Sequence, residues 1–243
     1  MIVTYLMKNF IHYAGWELAF FDEAKNFRKY QIDILKKHIK GIVGEIGPGN
    51  GSLCEKYLNF TNRIFLFEPS RNLYKNLNLK FKDLDKVTVI NDEFKPSSQK
   101  FDCILLMDVI EHIDNPSELL IRAKNSLNQN GKILINVPAF QHLYSNFDRD
   151  VGHVKRYDKK TFLNTVKEIP KHKINLFYYD SVGYFMSLFS KLLFDLFARY
   201  SKNYQHNFKQ KIALWDFFIP LSKLLDKIFL NNFGKSLFII IKK

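Results

Sequence analysis

Cysteine is nearly absent: Cys54 and Cys103 are the only two in 243 residues. That excludes a disulfide framework and a cysteine-built metal centre. Both read as small buried hydrophobes, one in a helix and one in a strand, which suits a reducing cytoplasm. Long apolar runs are missing too. Two Phe- and Leu-rich stretches stand out, at 181–200 and 212–230. Lys191 and Asp195 interrupt the first, and Asp216, Pro220, Lys223, Asp226 and Lys227 the second. Neither matches the ~20 apolar residues of a membrane-spanning helix. Residues 1–8 have no long apolar core and no small-residue cleavage site, so no signal peptide is expected. Repeats and low-complexity linkers are absent, and the length suits one large α/β core. Acidic residues thin out toward the C-terminus. Residues 154–243 hold 17 Lys and Arg against 6 Asp and Glu, whereas the first 153 hold 20 against 18. Most of the +13 net charge therefore lies C-terminally and points to an anionic partner. A phosphorylated or acidic small molecule, a membrane face or nucleic acid would fit.

Glycine is sparse at 10 residues, yet three stand at every second position: Gly47, Gly49 and Gly51. They follow a short apolar strand that ends in Glu45 and precede a helix at 52–58. Such a turn lets the backbone approach a ligand without a Cβ in the way. It also opens a helix whose free N–H groups carry partial positive charge. The spacing is not the Gly-x-Gly-x-x-Gly of dinucleotide enzymes, and no Gly-Lys-Ser/Thr phosphate loop is present. Further apolar strands follow in order. The stretch 63–68 ends in Glu68, 87–90 is followed by Asn91 and Asp92, 101–107 by Asp108 to His112, and 131–137 by Pro138. Helices at 70–80, 116–128 and 159–168, and strands at 173–179 and 235–242, complete the alternation. Strands alternating with helices imply a mainly parallel sheet with right-handed crossovers. A helix over 16–37 carries Trp16, Ala19, Phe20, Phe27, Tyr30 and Ile34 on one stripe, and is expected to cover the ligand mouth.

Glu45-x-Gly47-x-Gly49-x-Gly51, with acidic strand ends after it in this order, resembles the opening motifs of class I S-adenosylmethionine-dependent methyltransferases. The resemblance implies a Rossmann-like α/β fold. Its seven-stranded sheet would be mostly parallel, the last strand inserting antiparallel between the fifth and sixth, with helical cap insertions. It implies one domain over 1–243: a helical cover (1–40), a cofactor-binding core (41–180), a helical cap insertion (181–232) and a final strand (233–243). S-adenosylmethionine would be the cofactor, leaving as S-adenosylhomocysteine. Gly47, Pro48, Gly49, Asn50 and Gly51 would wrap its methionine and ribose, with Glu45 near the amino-acid end. Glu68, with Pro69, would hold the ribose hydroxyls. Asp92, with Asn91, would accept from the adenine amino group, and Leu106, Met107 and Asp108 would line the methionine side.

A narrower resemblance follows the fifth strand. Residues 136–148 read Asn-Val-Pro-Ala-Phe-Gln-His-Leu-Tyr-Ser-Asn-Phe-Asp, and 152–157 read Gly-His-Val-Lys-Arg-Tyr. They resemble a bacterial methyltransferase subfamily with a Val-Pro-Ala…Gly-His-x-Arg-Arg-Tyr signature, often found with glycosyltransferases of surface-polysaccharide synthesis. Lys155 replaces the first arginine of the usual pair and loses its bidentate fork. Asp180 and Ser181 stand where Tyr-x-Asn is common, so polar contacts to substrate are expected to differ. The leading expectation is O-methylation of a sugar, sugar phosphate or other phosphorylated glycan precursor, with N-methylation left open. A lipid or quinone precursor at the membrane surface is the alternative, since quinone-pathway methyltransferases share the run Asp108 to His112. Nucleic acid is not expected. No Asn/Asp-Pro-Pro-Tyr follows the fourth strand, and no RNA-binding module is visible. A cytoplasmic location is expected. The stretches 181–200 and 212–230 would pack as a cap or dimer face, or else lie peripherally on the inner membrane face.

A sulfonium methyl is already activated, so the protein chiefly positions the acceptor and excludes water. An alcohol acceptor must also lose a proton, which a neutral imidazole can take. His153 is the first candidate base, with Asp148 and Tyr157 placed to orient it, and His112 is the second. Tyr13, His153, Arg156 and Tyr157 are the candidate acceptor contacts. Asp108 and Glu111 lack a second carboxylate pair, so no metal is expected.

Overall fold

The computed structural model describes residues 13–170, 173–197 and 204–243, with the backbone alone at 192–197 and 204–207. Residues 1–8, where no signal peptide is expected, lie outside the described residues.

Seven strands form one sheet: β1 (Ile42–Ile46), β2 (Arg63–Phe67), β3 (Val87–Ile90), β4 (Phe101–Met107), β5 (Leu127–Pro138), β6 (Ile174–Tyr179) and β7 (Ser236–Lys242). Their spatial order is β3-β2-β1-β4-β5-β7-β6. Strands β1 to β5 pair in parallel, and β7 runs antiparallel to both β5 and β6, as expected for a late insertion. The central strands are nearly continuous apolar runs because both faces are covered. Leu105 and Leu106, Ile133 and Leu134, and Leu237 to Ile241 are all buried.

The helices are α1 (Trp16–Glu23), α2 (Lys25–Leu35), α3 (Ser52–Tyr57), α4 (Arg71–Phe81), α5 (Ser117–Asn125), α6 (Asn146–Asp150), α7 (Lys159–Thr165), α8 (Ser181–Phe197) and α9 (Tyr204–Ile228). On one face of the sheet, Phe27 and Tyr30 of α2, Tyr57 of α3, Leu77 of α4 and Trp215 of α9 share a core. On the other, Leu119 and Leu120 of α5 pack with Phe162 of α7. Among the described residues, no helix is long and apolar enough to cross a membrane.

Several boundaries differ from the sequence reading. The single helix expected at 16–37 is two, broken at Ala24 (φ −77°, ψ 72°). Asp216 of α9 causes the break: its carboxylate accepts from the backbone N–H of Asn26 (3.2 Å) and of Phe27 (2.8 Å), capping a new helix start. The helix expected to reach 128 stops at Asn125, because the Ser126 carbonyl is taken by the Phe101 N–H and β5 begins at Leu127. The last cap helix runs on through Pro220. Asp180 and Ser181, read as substrate-facing, instead lock the cap. Asp180 accepts from Trp215 Nε1 (2.7 Å) and Ser222 Oγ (2.9 Å), while Asp226 accepts from the N–H groups of both residues and from the Tyr30 hydroxyl.

Candidate active site

Strands β1, β2 and β4 end at one rim, where the strand order reverses between β1 and β4 and open α/β sheets take their ligands. A cavity of about 1700 Å³ opens there, walled by these strand ends and by α1, α8 and α9. Small-molecule sites usually measure about 300–1000 Å³. The space therefore suits a cofactor and an acceptor side by side.

Glu45, Gly47, Pro48, Gly49, Asn50, Glu68, Pro69, Met107 and Asp108 all line this cavity. Gly51, Asn91, Asp92 and Leu106 do not. Gly51 serves packing: at φ 75° it turns the chain so tightly that a Cβ would lie 2.7 Å from both Leu77 and Phe81. Asn91 donates to the Glu68 carbonyl at 2.9 Å, behind the rim. Asp92 is exposed and pairs with Lys95, while the neighbouring Glu93 and Phe94 line the cavity. Leu106 points to the opposite face of the sheet, into the core with α5.

Burial dominates the charges of Glu45 and Glu68. It pushes the Glu45 carboxyl up to about 7, despite a hydrogen bond from the Tyr57 hydroxyl and the nearby Arg28 charge. It pushes Glu68 up to about 7 as well, against donation from the backbone N–H of Ser70 (2.8 Å) and of Gly49. Arg28 of α2 lines the cavity beside Glu45 and holds Gln31 Oε1 at 2.8 Å, while its buried Nε has no acceptor. A guanidinium with a spare N–H here can fork onto a ligand carboxylate. The sequence reading missed Arg28, whose one signal is a cation adjoining the apolar stripe of its helix.

Tyr13, His112, His153 and Arg156 line the cavity, but Tyr157 does not. Tyr157 is fully buried, its hydroxyl donating to the Ile110 carbonyl at 3.3 Å. Arg156 is spent on the protein. Its Nε and Nη2 fork onto Asp148 at 2.8 and 2.9 Å, and Nη1 reaches the Ala139 carbonyl. Asp148 also meets His153 Nδ1 at 2.8 Å. Burial works against the Asp148 charge, but the hydrogen bonds from His153 and Arg156 outweigh it and hold the carboxyl well below its usual range. His153 packs edge-on against His112, with ring centroids 4.7 Å apart. Burial, then the neighbouring His153, pushes His112 down to about 4, so its ring is neutral. Tyr13 donates to Glu17 at 2.6 Å and leans edge-on toward His112.

Asp108 follows β4 in the left-handed region at φ 58°, a conformation that costs a non-glycine residue roughly 1–3 kcal/mol. Asn136 Nδ2 donates to its carboxylate at 2.6 Å. Water reaches Asp108 through the open cavity, yet protein encloses it, and that enclosure raises its carboxyl.

A sheet of this order, with a glycine turn after β1 and a carboxylate after β2, is the fold of class I methyltransferases. The family model described as "Methyltransferase domain" matches residues 23–169, more than half of the chain, and the chain belongs to that family. It is 29% identical over 156 residues to an uncharacterized protein of Methanocaldococcus jannaschii, covering 63% of this chain and 68% of that one. It is 31% identical over 148 residues to the tRNA U34 carboxymethyltransferase of Campylobacter jejuni, covering 56% and 48%. Phosphoethanolamine N-methyltransferase 2 of Haemonchus contortus, solved with S-adenosyl-L-methionine, has a similar fold. Its TM-score is 0.56 at 20% identity, over 97% of this chain and 54% of that one. The N-methyltransferase NodS of Bradyrhizobium japonicum gives 0.54 at 10% identity, over 91% and 97%. The chain thus spans about half the length of the Campylobacter and Haemonchus proteins.

Proposed function

We propose that this methyltransferase moves the methyl group of S-adenosylmethionine to a hydroxyl oxygen of an anionic small molecule. The acceptor class is a sugar, sugar phosphate or other phosphorylated precursor of a surface polysaccharide. The observation that carries an oxygen acceptor is the Asp148–His153 pair. With Nδ1 on Asp148, His153 has Nε2 left for a ligand in the cavity. The new O–C bond forms as the S–C bond breaks, the alcohol proton passes to Nε2, and S-adenosylhomocysteine leaves. Arg149, Lys191, Lys211 and Lys235 on the cavity wall favour a negative charge on the acceptor. The glycan class rests on the resemblance of residues 136–157.

In this reading Glu45 and Arg28 meet the amino-acid end of the cofactor, Glu68 its ribose, and Met107 and Asp108 its methionine side. The test is turnover of methyl-labelled S-adenosylmethionine against nucleotide sugars, phosphorylated sugar precursors, quinone precursors and RNA. Label in a sugar hydroxyl sustains the reading. Label confined to a quinone precursor, an amine or RNA refutes it.

One observation favours a second reading, an amphiphilic acceptor met at a membrane surface. Phe189, Leu214 and Leu221 line the cavity and are also exposed to solvent, by 64%, 54% and 45%. Sedimentation with anionic vesicles at low salt tests it, and a chain that stays in the supernatant excludes it.

A further inference from the structure

Among the described residues, Glu111 is the one carboxyl group with both oxygens buried and without a hydrogen-bond partner. It is fully buried, yet it lines the cavity, and neither carboxylate oxygen receives a hydrogen bond from another residue. Its surroundings offer more acceptors. His153 Nε2 lies 4.0 Å from Oε1, too far for a hydrogen bond. One donor atom each from Glu111, His112 and His153 falls within 4.8 Å of the others.

The tautomers sharpen the point. His153 Nδ1 faces Asp148, a carboxylate also forked by Arg156, and His112 Nδ1 faces the Gly152 carbonyl at 3.2 Å. Both partners only accept, so each Nδ1 carries a hydrogen, and in the neutral ring each Nε2 is the lone pair. Two imidazole nitrogens and a carboxyl group thus converge on one point, with no lysine or arginine among them. Carboxylate and carbonyl acceptors behind ligating histidines are the usual outer support of a metal site, fixing the ring and raising its basicity.

We infer that Glu111, His112 and His153 form a binding site for a first-row divalent cation such as Zn²⁺, Mn²⁺ or Co²⁺. Two imidazoles and one carboxylate suit these ions, whereas Mg²⁺ and Ca²⁺ favour all-oxygen shells. Metal–ligand bonds of about 2.0–2.2 Å place ligand atoms roughly 3–3.5 Å apart, so the side chains need to close by about 1–1.5 Å. His112 is only partly buried. Three protein ligands leave coordination positions open toward the cavity, as in catalytic zinc sites. An acceptor hydroxyl bound there would be acidified by the cation and release its proton to solvent, with His153 acting as ligand in place of base. Cation binding itself stands whatever the acceptor is. The sequence shows no metal spacing, because Glu111 and His112 are adjacent and His153 lies 41 residues further on.

The test uses the full chain, stripped with a chelator and then titrated with Co²⁺ and Zn²⁺. One ion per chain is expected, with a Co²⁺ visible spectrum showing nitrogen ligation. Glu111→Gln and His112→Ala should each weaken binding by about 100-fold or more, since losing even an outer support typically costs 10–100-fold. His142→Ala should not, because His142 lies outside the cluster. A wild-type measurement guards against misfolded variants: substoichiometric Mn²⁺ should broaden the imidazole resonances of His112 and His153 and spare those of His38 and His142. No stoichiometric ion, affinity unchanged in folded variants, or broadening elsewhere overturns the site. Cofactor binding and turnover, measured separately, report on the proposed function independently.

Discussion

Asp148 and His153 are joined twice: Asp148 Oδ1 meets His153 Nδ1 at 2.8 Å, and the Asp148 carbonyl accepts the His153 backbone N–H at 2.7 Å. The backbone bond seats the residue and the side-chain bond sets its tautomer. His153 is thereby committed to presenting Nε2, the atom an acceptor proton or a cation needs. Replacing His153 by Ala should lower turnover roughly 10²–10⁴-fold with cofactor affinity retained. Steady-state kinetics with calorimetry checks both halves, and near-normal turnover would remove His153 from the chemistry.

The same carboxylate neutralises Arg156, whose side chain is 6% exposed. Asp148→Ala leaves that guanidinium buried and unpaired, so a loss of about 3–5 kcal/mol of stability is expected. Chemical denaturation gives the number directly. A loss under 1 kcal/mol would mean that water reaches Arg156.

Cofactor affinity should depend on pH through Glu45 and Glu68, both raised to about 7 by burial. A raised carboxyl favours the folded protein most below its unfolded value, and that contribution is lost as pH rises through about 7. In the proposed placement the ribose hydroxyls donate to ionised Glu68, so binding would expel a proton below pH 7. Affinity should therefore weaken as pH falls from about 7.5 toward 5.5, by at most tenfold per unit for each carboxyl. Calorimetry in buffers of different ionisation enthalpy counts the released protons. A flat profile would mean that neither group titrates on binding.

Asp216 holds α2 to α9 by capping the helix that follows Ala24. Asp216→Ala should cost about 0.5–2 kcal/mol, the usual value of a helix cap. The loss should appear in thermal melts without changing the acceptor's reaction at low temperature.

Lys235 lines the acceptor side with Nζ 3.9 Å from the centre of the Trp215 ring. If it meets an anionic acceptor, Lys235→Gln should raise the acceptor KM while cofactor affinity stays level. Added salt should have the same selective effect. Equal loss of both affinities would indicate a structural role instead.

Most strands were legible because they are short apolar runs followed by a polar residue, whereas the polar start of β5 (Asn128 to Asn130) hid its first residues, and β7 could be placed between β5 and β6 from its resemblance alone. The departures arise from long-range partners. Nothing near Ala24 in sequence announces a break, since the capping carboxylate lies 190 residues from Asn26. Arg156 and Tyr157 looked like acceptor contacts beside His153, but one is tied up by Asp148 and the other turns into the core. Asp92 and Glu93 were equivalent as sequence, and only the path of the loop decides that Glu93 and Phe94 reach the cavity. In sequence, Glu111 and Asp108 lack a second carboxylate pair and so argue against a metal, because only the fold brings His153 to Glu111.

The cofactor's seat is the central claim, and Glu68 is its most exacting point. Titration calorimetry of S-adenosylmethionine into the wild type and Glu68→Ala tests it most directly. One molecule should bind per chain. The variant should bind about 1.5–3 kcal/mol more weakly, roughly 10- to 150-fold in Kd, from the lost hydrogen bonds to the ionised carboxylate. Equal affinity in a folded Glu68→Ala would contradict the placement of the ribose, and with it the orientation of the methyl group toward His153.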